Sequence, residues 1–499
     1  MSRWSGQPSI KGSSDALRMI LLNFSTLDCT PYLLSLGLTK SKTSLVWIAG
    51  PLSGLLVQPI VGATADGSTS RWGRRPFIVV GAVMVAICLL ILGFTREIVG
   101  LFIPDETAAK TPTIVVAIIS IYAVDFSINA VMSAARSLVV DTLPISRQQD
   151  GAAWGGRMSA IGIFGNFLGH SQFKRLTFIA ALGILCSCFV TSWAVTERVL
   201  VAVKHDPRNK GGRFKVVVQI WSTLLHLPPR IRAICHVQFW SWVGWFPFLF
   251  YNTTWVGETY FRYDVPEDAR GSEDVLGQMG RIGSTALVIY SIITLIGAWT
   301  LPLLVKSPEA DNFTPRPPQS IAPIIEKINK YKPDLLTTWM VAHGMFACAM
   351  FVAPFAHSFK FATALICICG LPWTIAMWAP PTFLGIEVNK LSGATQSNPS
   401  YRRLSNESVE IEDEFDGGLS GIYFGILNIY TTLPQFVGTF ISTVVFAILE
   451  PGMSAELAHE ARPDEHHSAD GPNAIAVCLF IGAMSATVGI FATWKLRYL

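Results

Sequence analysis

Long apolar runs constrain this chain more than any other feature. Stretches such as 76–95, 175–195 and 473–495 carry almost no charge, and about twenty apolar residues is what a helix needs to cross a bilayer. In lipid every backbone polar group must be satisfied internally, which leaves helices or closed barrels. Unbroken apolarity selects helices, because barrel strands alternate. Charged residues make up 14% of the chain, against about 25% in soluble proteins, and the mean hydropathy is +0.43. These values exclude a disordered chain, a coiled coil, a disulfide-rich secreted module and a nucleic-acid binder.

Runs near 17–38, 43–65, 76–95, 112–134, 150–169, 175–195, 233–253, 279–304, 336–356, 359–385, 418–449 and 473–495 predict twelve membrane-spanning helices. The connecting segments carry an uneven charge. Segment 197–232 holds eight basic residues and only Glu197 and Asp206 as acids, whereas 450–472 holds Arg462 against six acids. Positive loops stay cytoplasmic, so 197–232 and both termini are expected there. The sixteen-residue tail 1–16 is polar, with no cleavable signal pattern. The basic segment 197–232 divides the chain into a six-helix half at 17–196 and another at 233–499, the latter interrupted by an acidic segment at 386–417. The fold expected from this is all-α, with twelve transmembrane helices in two halves, the organisation of a major facilitator.

Nine cysteines fall inside apolar runs, and the two near-pairs Cys186/Cys188 and Cys367/Cys369 have no supporting His or acid nearby, so no disulfide framework and no metal site are expected. There is no nucleophile elbow or phosphate-binding loop, and neither an enzyme activity nor a cofactor is expected.

Three constellations carry chemistry. Gly62 and Asp66 stand four residues apart at the end of the second span, followed by a tight turn with Gly73, Arg74 and Arg75. They share a helix face; Gly admits a close neighbour, and a carboxylate suits the N-terminus of another helix. Such a loop resembles the signature loop of the major facilitator superfamily, and the resemblance makes it a candidate gate, with the start of the eleventh span and Asp141 as its expected partners. Asp125 and Arg136 lie inside the fourth span, where charge is costly and marks function by default. Eleven residues amount to three turns plus about 20°, so both face one way, about 16 Å apart along the axis. Finally, Asn428 and Gln435 share a face of the eleventh span, behind Gly421 and Gly425.

The strings Thr30-Pro-Tyr-Leu, Trp47-Ile-Ala-Gly-Pro-Leu-Ser-Gly-Leu-Leu-Val-Gln-Pro59, Thr69-Ser-Arg-Trp-Gly-Arg-Arg-Pro-Phe77, Asp125 to Asp141, Gly370-Leu-Pro-Trp373 and Gly421 to Gln435 resemble the sucrose/proton symporter family. This is a branch of the glycoside–pentoside–hexuronide symporters within the major facilitator superfamily. The strings keep the family's order along nearly the whole chain, and the likeness is greatest to fungal α-glucoside and sucrose transporters. The resemblance implies proton-coupled symport of a disaccharide through a multi-pass membrane protein, in the plasma membrane rather than the vacuole. It makes Asp125 the proton-coupling carboxylate and Arg136 its cavity partner. Gln58, Asn166, Trp373, Asn428 and Gln435 become candidate sugar ligands. Of the acidic pattern around the outer end of the seventh span in plant members, Glu258 alone is retained, and it joins Asp125 and Arg136 as a candidate cavity group. The first and fifth spans are shorter than the family pattern, near Asp28 and His170. A non-transporting sugar sensor or a truncated, inactive transporter on the same fold is the rival reading. Elsewhere, His343 is expected to hydrogen-bond a neighbouring helix.

Overall fold

The computed structural model describes residue 46, residues 49–66, 74–142, 149, 153, 173–194, 215–265, 275–306, 332–394, 420–449 and 473–499. The predicted spans at 17–38 and 150–169 lie outside these residues, as do Gly73 and Asn166. The other predicted spans each fall on helix. In chain order the helices are α1 (Ala49–Asp66), α2 (Arg75–Gly93), α3 (Thr95–Phe102), α4 (Glu106–Thr142), α5 (Phe173–Ala194), α6 (Lys215–Leu225), α7 (Pro229–Thr259), α8 (Val275–Leu304), α9 (Leu335–Phe351), α10 (Phe359–Ile368), α11 (Gly370–Ala394), α12 (Ser420–Leu449) and α13 (Ala474–Leu496). Seven stretches in this set are long and apolar enough to cross a membrane, among them Arg75–Gly93, Ala108–Leu138 and Ala474–Leu496.

Three predicted boundaries move. The tenth span is two helices, because Pro372 has no N–H to donate to Ile368, the last residue of α10. Segment 386–417 does not begin as a loop: α11 continues to Ala394. Its last turns are held by Glu387, which accepts from Arg230 at 2.9 Å and lies 3.9 Å from Lys390. Segment 197–232 likewise contains α6 and the start of α7.

Small residues set the close approaches. Gly244 of α7 and Gly482 of α13 meet back to back, so that a Cβ on Gly482 would stand 3.1 Å from the Gly244 Cα. Ser485 adds a 2.6 Å bond to the Trp240 carbonyl. In the N-terminal half, α2, α4 and α5 share a core of Ile78, Val85, Leu89, Ile121, Val131 and Ile184. In the C-terminal half, Trp245, Phe248, Phe346 and Met350 pack α7 against α9. A further cluster joins the halves: Ala63 and Val140 from the first pack with Ile422, Tyr423 and Phe424 from the second.

Candidate functional site

The first element of the site is the seam between α1 and α12. A Cβ on Gly62 would collide with the Gly421 carbonyl, and one on Gly425 would stand 2.6 Å from the Pro59 Cα. These glycines let the two backbones touch. Farther along, Asn428 Nδ2 donates to the Gly54 carbonyl at 2.8 Å, and Thr432 lies beside it. At the end of the seam Arg74 is 4% exposed, and its Nη2 donates to Ser420 Oγ at 3.1 Å. The basic turn thus reaches the first residue of α12 through a hydroxyl that the sequence reading did not single out. Nearby, Asn389 of α11 donates to the Val140 carbonyl of α4 at 3.3 Å. Asp66 and Asp141 stand at the last turns of α1 and α4. Arg75 is half-buried in the first turn of α2.

The second element is a polar ladder between α1 and α4. Asp125 is 4% exposed, and its Oδ2 lies 4.0 Å from where a Gly50 Cβ would be. One turn on, Asn129 uses its whole amide. It donates to the Asp125 carbonyl at 2.8 Å and to Ser53 Oγ at 2.8 Å, and it accepts from Gln58 Nε2 at 2.6 Å. Ser133 donates to the Gln58 carbonyl at 2.8 Å. Gln58, expected as a sugar ligand, is 1% exposed and turned toward α4; its geometry is that of a residue holding Asn129. Asn129, Ser53 and Ser133 went unremarked in the sequence, although the four-residue step from Asp125 to Asn129 was there to be read. Arg136 is half-buried on the same helix.

The remaining candidate residues of the second half are Glu258, Gln435 and Trp373. Glu258 sits in the last turn of α7, where its Oε1 accepts from Arg262 Nε at 2.8 Å and from Nη2 at 2.5 Å. Gln435 is half-buried in α12. Trp373 is 6% exposed, with Trp242 and Trp245 edge-on to it at ring separations of 5.9 and 5.1 Å. Trp242 is the more open of the three, and its indole N–H has no partner among the described residues. The expected helix-to-helix bond of His343 is not found: its Nε2 is likewise without a partner among the described residues, and the ring packs on Trp339 at 5.4 Å.

This arrangement has relatives. The chain is 30% identical to the general alpha-glucoside permease of Schizosaccharomyces pombe, over 94% of this chain and 89% of the permease. The chain belongs to the sucrose/α-glucoside symporter family of the major facilitator superfamily. A second member of the family, the sucrose transport protein SUT5 of Oryza sativa subsp. indica, is 26% identical over 82% of the chain and 76% of its own length. The alignment with the permease runs over 535 positions, more than the 499 residues of the chain, so this chain lacks internal stretches that its relative has. Among solved structures, the human organic anion transporter MFSD10 superposes with a TM-score of 0.59 at 13% identity, covering 98% of this chain and 99% of that one. The proton:xylose symporter XylE superposes with a TM-score of 0.58 at 12% identity, covering 98% and 94%. At that identity they establish the major facilitator fold, in which this symporter-family chain is built, and no more. No family model matches the chain.

Proposed function

We propose that this protein carries sucrose or another α-glucoside across a membrane together with a proton, by alternating access. The observation that carries the reading is the placement of Asp125: a carboxyl inside a membrane-spanning helix, 4% exposed, against a glycine on α1 and one turn from a fully engaged amide. A buried carboxylate there is costly, so protonation and sugar binding together relieve the penalty for closing the site. The membrane potential then supplies about 2.3 kcal/mol per charge per 100 mV.

In this reading Asp125 and Arg136 line the proton side of the cavity. Trp242 offers an aromatic face to the sugar, with Trp373 behind it. Asn428 and Gln435 border the sugar site on α12. Glu258, paired with Arg262 at the far end of α7, belongs to the mouth of the cavity.

The basic turn and segment 197–232 are cytoplasmic by the charge rule. The seam of Gly62, Gly421, Arg74, Ser420 and Asn389 is then a closed cytoplasmic gate, and the conformation is outward-facing. Transport requires this seam to part while the halves rock about the central site. The similarity to the alpha-glucoside permease and to SUT5 supports the substrate class. The experiment is alkalinisation of a weakly buffered medium by cells expressing the protein when sucrose, maltose or trehalose is added. Symport predicts a sugar-dependent rise in external pH. Uptake of label with no pH change rejects coupling.

A further inference from the structure

Helix α6 is too short to cross a membrane. Its eleven residues span about 16 Å, half of a hydrocarbon core. Ile220 and Leu224 pack on the cluster that contains Ala63 of α1 and Ile422 and Tyr423 of α12. Val217, Val218, Trp221 and Leu225 point away from it, at 51%, 64%, 63% and 61% exposure. Val217, Trp221 and Leu225 are four residues apart in turn, so they form one ridge. A helix in water turns polar residues outward; α6 is apolar toward the protein and again on its free face.

Its flanking sequence is basic, although Arg230 is already paired with Glu387 of α11. Between Asp206 and Glu258 there is no acid, while Arg208, Lys210, Arg213, Lys215, Arg230 and Arg232 are basic. Anionic lipid headgroups attract basic segments of this kind, and Trp prefers the level of the headgroups. We infer that α6 is an interfacial helix that seats the ridge Val217, Val218, Trp221 and Leu225 in an anionic leaflet. Because its other face packs on both α1 and α12, lipid charge biases the seam between them.

The full chain, reconstituted in phosphatidylcholine vesicles with or without phosphatidylglycerol, tests this. The emission of Trp221 is isolated as the difference between wild type and Trp221→Phe. Brominated acyl chains are expected to quench that component, more strongly with phosphatidylglycerol and less at high salt. Quenching by aqueous iodide but not by brominated lipid overturns the seating, whether or not the protein transports sugar. In the same vesicles, phosphatidylglycerol is expected to raise the uptake rate by about threefold or more. The double variant Val218→Gln, Trp221→Gln is expected to abolish that lipid dependence. If the variant keeps it, the coupling of α6 to the seam is wrong.

Discussion

Asn428 of α12 donates to the carbonyl of Gly54 on α1 at 2.8 Å, across the boundary between the two halves. A side chain at Gly54 would stand 3.1 Å from that amide nitrogen and 3.8 Å from Asn129 Oδ1. One glycine therefore adjoins both the α1–α12 seam and the ladder that carries Asp125, so a movement of the seam reaches Asp125 by direct packing.

Asn428→Ala removes this clasp. The Gly54 carbonyl keeps its own place in α1, so the expected cost to the closed seam is about 1 kcal/mol. Amide hydrogen exchange over Ser420–Asn428 is expected to speed up about fivefold, with exchange in α13 unchanged.

Gly62→Ala acts by sterics alone. Its Cβ collides with the Gly421 backbone, which cannot rotate away, so α1 and α12 are pushed apart. Overpacking of this kind costs about 1–3 kcal/mol. Sugar uptake is expected to fall by about tenfold or more at equal protein level in the membrane, and Gly62→Ser should do no better.

Asn129→Asp puts a second carboxyl one turn from Asp125. Two carboxylates one turn apart repel each other when both are ionised, so the pH dependence of transport should change. The pH profile of uptake is expected to shift, while Asn129→Ala lowers uptake without that shift. Equal profiles for the two variants would reduce Asn129 to a packing residue.

Asp334 caps α9, accepting from the Thr337 N–H at 3.1 Å and the Thr337 hydroxyl at 2.5 Å, with Arg497 3.8 Å away. Burial pushes its carboxyl up, but these donors and the Arg497 charge outweigh burial and leave it below the usual carboxylate range. A depressed folded pKa stabilises the protein above the unfolded value, and the contribution is lost as pH falls through the folded one. Asp334→Ala is expected to cost about 1 kcal/mol of thermal stability at neutral pH, and the gap to wild type should narrow in acid.

The positions of the helices were legible because apolarity is a long signal: 76–95 matches Arg75–Gly93, and 473–495 matches Ala474–Leu496. The fourth span, 112–134, is the inner part of a longer helix, Glu106–Thr142. A helix does not stop where lipid does, since its hydrogen bonds are internal. Helix α6 was hidden because the charge of its surroundings outweighed eleven residues of apolar pattern. The charges within the fourth span, Asp125 and Arg136, stand out against an apolar background, whereas Ser53, Ser133, Asn129 and Ser420 do not. Small polar residues are common in membrane helices; only the crossing of α1 with α4 joins Ser53, Asn129 and Ser133 through Gln58, and only the approach of α12 brings Ser420 to Arg74.

The most direct test of the account is accumulation of labelled sucrose or maltose in proteoliposomes, with an inward proton gradient imposed or absent, for wild type and Asp125→Asn. Wild type should accumulate sugar above equilibrium only with the gradient, and Asp125→Asn should lose accumulation yet still exchange sugar down its own gradient. Accumulation by Asp125→Asn, or wild-type uptake indifferent to the gradient, would contradict the assignment of Asp125 as the proton carrier.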